Sequence, residues 1–181
     1  MNKNMFAAVR RVVLLPAVLA VATLTGCASQ MTTQELTPPP VAAAKQHTGS
    51  VTVTALPAAN ADPAAAAADV AALRAAVSDA ITASKAFAEV KGSGGDYQLT
   101  VQVFSVNSPS FGISMTSKIE MGWTLKRADT GAVVWQQSVQ SEHTTGGGEA
   151  FVGAERAKMS IAGAIRKNIA IGVERMGAAA F

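Results

Sequence analysis

Residues 115–143 read MTSKIEMGWTLKRADTGAVVWQQSVQSEH and predict the β-hairpin that decides the fold. Apolar and polar residues alternate over 114–127, which is the period of a strand with one buried face. A three-residue loop at Asp129-Thr130-Gly131 would place its glycine in the left-handed conformation. The second strand then covers 132–143. The apolar face of the first strand carries Met115, Ile119, Met121, Trp123 and Leu125.

The position of the turn also predicts the register of the hairpin. Leu125 is expected opposite Trp135, and Met121 opposite Val139. A shift by one residue would move an indole to the polar face, so the register should be well determined. We expect the other face to be solvated, and it carries Lys118, Glu120, Thr124, Lys126, Gln136, Ser138, Gln140 and Glu142.

The segments on either side of the hairpin complete an α+β domain. Alternation predicts strands at 50–56 and 97–106 and a short extended piece at 87–90. Apolar residues at helical spacing predict a helix from Pro63 to about Phe87 and a final helix over 149–176. The order is therefore β-α-(β)-β-β-β-α. It indicates a two-layer sandwich, a mostly antiparallel sheet with two helices on one face.

Two details of these flanking segments are specific predictions. In the final helix, Phe151 is expected on the core face together with Ile165 and Val173. The last residues, GAAAF, are expected to fray. Residues 28–49 contain three consecutive prolines and no apolar face, which is typical of an extended linker. His47 is then a solvated linker side chain, and 50–181 forms the single domain.

The first 26 residues have the features of a secretory leader. Three basic residues and no acidic one lie in the first 11 positions. An apolar run, VVLLPAVLAVA, follows at 12–22 and is too short to span a bilayer. Leu24-Thr25-Gly26-Cys27 comes directly after it. Cys27 is the only cysteine of the chain, so an intramolecular disulfide is impossible.

The tetrad Leu24-Thr25-Gly26-Cys27 resembles the lipobox of bacterial lipoproteins. The resemblance implies cleavage before Cys27, a thioether-linked diacylglycerol on its sulfur and an N-acyl chain on the new amine. Two or more acyl chains suffice for stable anchoring without a transmembrane helix. Ala28 stands where an Asp would retain such a lipoprotein in the inner membrane. The resemblance therefore implies the outer membrane and its periplasmic face, with surface exposure left open.

The order of elements in 50–176 resembles that of small periplasmic lipoproteins. These include the lipopolysaccharide-assembly lipoprotein and domains like the TolB N-terminal module. The hairpin sequence ADTGAVVW at 128–135 is similar to one found in such proteins. They are mostly binding or assembly factors, so the resemblance implies a non-enzymatic role, but no binding residue can be carried over to this chain.

The charge of the chain argues against a nucleic-acid partner. The formal net charge is +3, from 15 basic and 12 acidic residues. Lys3, Arg10 and Arg11 lie in the leader, so the chain from Cys27 onward is formally neutral. An electrostatic footprint for DNA or RNA is therefore not expected.

Few residues can support catalysis or metal binding. The two histidines lie far apart in the sequence, and we expect neither a metal site nor a cofactor beyond the acyl chains of Cys27. His143 is the only histidine of the folded domain that could act as a base, and we expect it to be an exposed residue at a strand end. Glu120 and Glu142 share a sheet face, but neighbouring lysines favour a solvated charge ladder.

The loop SPSFGI at 108–113 contains two isolated apolar residues, Phe111 and Ile113. Such residues are candidate contacts for a partner, and they can equally pack under the edge of the domain. We therefore expect a lipid-anchored accessory factor that binds an envelope protein and is not an enzyme. The alternatives are a carrier that holds lipid or another apolar ligand between sheet and helices, and, less favoured, a hydrolase. Neither the oligomeric state nor the identity of the partner follows from the sequence.

Overall fold

The computed structural model describes residues 30–59, 63–109 and 111–181, and within 63–68 it describes the backbone only. The leader, the lipobox and Cys27 lie outside these residues. The elements are α1 (Thr33–Leu36), β1 (His47–Leu56), α2 (Pro63–Ser84), β2 (Phe87–Lys91), β3 (Tyr97–Asn107), β4 (Met115–Arg127), β5 (Val133–Thr145) and α3 (Gly153–Ala178).

The five strands form one mixed sheet in the order β2-β1-β3-β4-β5. The pairs β1–β2 and β1–β3 are parallel, whereas β3–β4 and β4–β5 are antiparallel. Two of the four strand pairs are thus parallel and two are antiparallel. β2 runs parallel to β1 because α2 connects them as a crossover helix. The fold is the predicted two-layer α+β sandwich, with α2 against β1 and α3 against β4 and β5.

The register of the central hairpin is confirmed. Leu125 pairs with Trp135, Trp123 with Gln137, and Met121 with Val139. On β4 the inward residues Met115, Ile119, Met121, Trp123 and Leu125 are all buried. Gly131 has φ +70°, the left-handed conformation that the turn requires.

The segment before β1 differs from the linker that the sequence predicts. Leu36, in α1, is only 1% exposed and belongs to the main core, and Pro38 is also buried. Ala43 N–H donates to the Ser84 carbonyl and Lys45 N–H to the Gly177 carbonyl. The prediction of a flexible tether is therefore wrong for the part of it that the structure describes, because a few apolar side chains and backbone hydrogen bonds dock it onto the helices.

His47 begins β1 and is not a solvated linker residue. Its ring stacks on Phe181, with 4.0 Å between centroids, and lies 5.2 Å from Phe87. The Nε2 atom is buried and has no hydrogen-bond partner among the described residues. Burial lowers the pKa of His47 from its ordinary value of 6.5 and outweighs a hydrogen bond with the Met176 backbone, which raises it; the charge of Lys45 also lowers it. The expected fraying of the carboxyl terminus is also wrong, since Phe181 completes this aromatic cluster.

This arrangement predicts that the domain loses stability in mild acid. Because the pKa of His47 is lowered by folding, the unfolded chain binds the proton more readily, and stability falls as the pH drops below 6.5. We expect the midpoint of thermal unfolding to fall between about pH 7.5 and pH 5, and to fall less in His47→Phe, which keeps the ring stack without the titration. Equal decreases in the two proteins would contradict the assignment.

Candidate functional site

Four large apolar side chains are exposed at one end of the sandwich. Two lie in the β3–β4 connection and two in the β5–α3 connection. Phe111 is 88% exposed, Ile113 85%, Phe151 98% and Val152 65%. We call these four residues the apolar tip. Exposed apolar groups that cluster in this way mark surfaces that bind proteins or membranes.

One arginine holds the two connections together. Arg156 Nη1 donates to the carbonyls of Ala150 and Phe151, at 2.7 and 2.9 Å. Its Nη2 donates to the Gly112 carbonyl at 3.0 Å. A single guanidinium therefore bridges backbone from both loops, which fixes their relative position.

Gly147 lets the two connections approach each other, and Gly112 permits a tight turn within the first of them. Gly112 has φ +153°, and a Cβ there would lie 2.8 Å from the Ser114 carbonyl oxygen. A Cβ at Gly147 would lie 3.0 Å from Ile113 Cγ2 and from the Ile113 carbonyl oxygen. The tip is thus a packed arrangement of two loops, although its large side chains point into solvent.

The exposure of Phe111 and Ile113 agrees with their sequence context, and their role as partner contacts stays a prediction. Phe151 was predicted on the core face of the last helix, and that prediction is wrong. The helix begins at Gly153 with Val152 as its N-cap, so Phe151 precedes it. The signal for this was available in the sequence, because Gly146-Gly147-Gly148 and Gly153 bracket two adjacent apolar residues.

The amino-terminal segment lies near the same end of the molecule. Glu35 Oε1 is 2.8 Å from Lys158 Nζ, in the second turn of α3. Glu35 also forms a capping box with Thr32. These hydrogen bonds, with Lys158 first, lower the pKa of Glu35 to about 2. Met31 N–H donates to Asp69 Oδ1 of α2 at 3.3 Å, so the segment crosses both helices.

The residues considered for catalysis are not brought together. His143 is half-buried rather than exposed, because its ring packs against the backbone of Gly163 in α3, and no hydrogen bond between described residues links it to a hydroxyl. Glu120 accepts a hydrogen bond from Ser138 Oγ at 2.6 Å, and Glu142 pairs with Lys118 at 3.7 Å. The charge ladder expected for the open face of the sheet is present. The residues that the structure describes contain no group of His, Cys, Asp or Glu suited to a metal ion.

Met and Trp side chains on the inner face of β4 fill the space between sheet and helices in which a carrier would hold an apolar ligand. Met115, Met121 and Trp123 are at most 1% exposed. The indole of Trp123 lies directly against Gly172 of α3, and its Nε1 donates to Asn168 Oδ1 at 3.2 Å. These contacts occupy the space between sheet and helix that a carried ligand would need.

No protein-family model matches the chain, and no curated protein matches it in sequence. Within the described part of the chain, none of the helices is both long and apolar enough to cross a bilayer.

Solved structures do match the fold. The chain is similar to protein XCC0632 of Xanthomonas campestris, assigned to the family DUF330, with a TM-score of 0.56 and 17% identity over 77% of this chain and 89% of the other. It is also similar to protein CT253 of Chlamydia trachomatis, with a TM-score of 0.54 and 8% identity over 72% and 96%. A minor lipoprotein of Acinetobacter baumannii matches with a TM-score of 0.40 and 11% identity over 77% and 90%. At these identities the first two structures show a shared fold and nothing further.

Proposed function

We propose that this chain is a lipid-anchored outer-membrane lipoprotein whose α+β domain is a non-enzymatic binding or assembly factor of the cell envelope. The observation that carries the proposal is the apolar tip, because four large apolar side chains stay in solvent although the core of the domain is filled. Covering such a surface with a binding partner removes apolar area from water and is therefore favourable.

The geometry of the polar groups supports binding over catalysis. Glu120 and Glu142 engage neighbours on the same sheet face, and His143 packs on a helix glycine. A nucleophile held by an oriented base is what a hydrolase site requires, and His143 has no such neighbour among the described hydrogen bonds. The open face of the sheet also exposes Gln98, Gln136 and Gln140 among its charged residues, which gives a protein partner a second, polar surface away from the tip.

In this proposal the membrane anchor of the protein is the acylated Cys27. The lipobox implies that its sulfur carries a diacylglycerol and that its amine is acylated. Ala28 at the next position supports sorting to the outer membrane. The domain would then face the periplasm unless the protein is moved to the cell surface.

The anchor predicts a result for Cys27→Ser. Labelled palmitate should enter the wild-type protein in cells and should not enter this variant, which should keep its leader or appear unanchored. Ser29→Ala, two positions away, is the matched control and should label like wild type. Palmitate in Cys27→Ser, or wild-type protein that carries an intact leader and no acyl chain, would overturn the proposed function.

The binding role is tested by photo-crosslinking in intact cells. A photo-reactive residue is placed at Phe111 or at Gln136, and at Thr130 in the far hairpin turn as the control. Adducts with an envelope protein at one of the first two positions and none at Thr130 would support an accessory factor. The absence of protein adducts from both test positions would argue against it.

A further inference from the structure

We infer that the apolar tip contacts the lipid bilayer, so that the domain rests on the membrane surface at two points, the acylated Cys27 and the tip. The inference rests on the proposed anchor and names the partner of the surface described above. It follows from where the described chain begins, from the chemistry of the tip and from the charges around it.

The distance from the anchor to the domain is short. Met31 is already held on α2 through Asp69. Only three residues separate it from Cys27, so the two Cα atoms are at most about 14 Å apart. A chain of that length cannot keep the domain far from a bilayer in which the acyl chains of Cys27 are inserted.

The anchor and the tip lie at the same end of the sandwich. Glu35, four residues after Met31, is bound to Lys158, and Lys158 is only five residues from the start of α3. Five helical residues rise about 7.5 Å, and Phe151 and Val152 directly precede that start. The opposite end carries the β4–β5 turn at Thr130, as far from the tip as the hairpin allows. When Cys27 is held in a membrane, the tip is therefore the end of the sheet nearest to the lipid.

The composition of the tip fits lipid better than a charged partner. Phe and branched aliphatic side chains, 65–98% exposed, can enter the boundary between headgroups and acyl chains. The nearby charges are of both signs, Glu149 and Glu155 against Arg156 and Lys158. They give no net attraction to an anionic partner, so the contact should depend on apolar burial and respond little to salt.

The experiment uses the mature, acylated protein in phosphatidylcholine vesicles. Because acylation blocks the sulfur of Cys27, a single new cysteine can carry an environment-sensitive fluorophore such as NBD. We place it at Phe111→Cys or Phe151→Cys, with Thr130→Cys as the matched control. Insertion predicts a blue-shifted emission that lipids with brominated acyl chains quench at 111 and 151, while emission at 130 stays aqueous and unquenched.

A second variant tests whether the tip acts as one surface. With the label at 111, Phe151→Ser should lower the ratio of inserted to free tip about tenfold, since it removes one aromatic side chain from the contact. The ratio should change little when salt is raised. This variant alters an exposed residue, so the fold should be retained.

The possible outcomes separate this inference from the proposed function. Unquenched, aqueous emission at 111 and 151 in a protein that carries palmitate would overturn the lipid contact and leave the anchor standing. Protein adducts at Phe111 in cells, together with unquenched labels in vesicles, would make an envelope protein the occupant of the tip. Equal quenching at 130 would show non-specific adsorption and would also overturn it.

Discussion

In the Leu36→Ala variant, the free energy of unfolding is expected to fall by about 2 to 5 kcal/mol, as for other fully buried leucines. Leu36 is 1% exposed and belongs to the main core. Its helix has only four residues and contacts both α2 and α3. Because a helix of one turn is not stable alone, this fully buried side chain is the largest apolar contribution to the docking of the segment.

The measurement is urea unfolding of the purified domain, followed by circular dichroism. Gln34→Ala, in the same turn but exposed, is the matched control and should change stability by less than about 0.5 kcal/mol. In the variant, the contact between Glu35 and Lys158 should weaken as well, which NMR of the two side chains can detect. A cost near zero for Leu36→Ala would mean that residues 31–46 are a free linker after all.

The docking of residues 31–49 could not be predicted from the local sequence. The large apolar residues of 31–49 are Met31, Leu36 and Val41, each five residues from the next, so they form no periodic apolar face. Periodicity identifies an element only when several apolar residues share one side. A single leucine that enters a gap between two helices leaves no such pattern, and its burial depends on the positions of helices far along the chain.

The central hairpin was predictable for the opposite reason. Alternation over β4 and the Asp-Thr-Gly turn both constrain the register, and an error of one residue would have exposed Trp123. The parallel pairing of β2 was not predictable from these signals. It depends on the path of α2 across the sheet, and the local sequence at 87–91 is compatible with either direction.

Only the part of the apolar tip in the β3–β4 connection could be predicted from the sequence. Phe111 and Ile113 stand in a Pro, Ser and Gly loop, where their exposure is visible in the sequence. Phe151 fits the helical spacing of the residues after it, and only the glycines at 146–148 and 153 indicate locally that it precedes the helix, as the N-cap at Val152 shows. That Arg156 joins the two loops is a tertiary contact between residues 44 apart, and no local pattern indicates it.

The second large effect is expected at the contact between β4 and α3. Trp123 is completely buried, and its Nε1 donates to Asn168 Oδ1. Asn168 Nδ2 in turn donates to the Val139 carbonyl at 2.7 Å and to Ser141 Oγ at 3.2 Å. We expect Trp123→Ala to cost about 3 to 5 kcal/mol, because it leaves a cavity and removes the donor for a buried amide oxygen. Trp123→Phe should cost less, since it fills most of the volume and loses only the hydrogen bond.

The same contact predicts an unusual result for a helix glycine. Alanine normally stabilises a helix interior by up to about 1 kcal/mol relative to glycine. At Gly172, however, an added Cβ would overlap the indole of Trp123, so Gly172→Ala should be destabilising by about 1 to 3 kcal/mol. Gly153→Ala, at the other end of α3, has neighbours no closer than 3.7 Å and is the matched control, expected to be neutral or slightly stabilising.

A double variant then isolates the overlap from other effects of the alanine. In the Trp123→Phe background, the smaller ring leaves room for the methyl group, and Gly172→Ala should cost less than it does in the wild type. Urea unfolding of the four proteins measures this coupling directly. If Gly172→Ala is equally costly in both backgrounds, the indole is not what the helix packs against. If it stabilises the wild type, α3 lies farther from the sheet than a close glycine contact allows, and the filled core that argues against an apolar carrier would be lost as well.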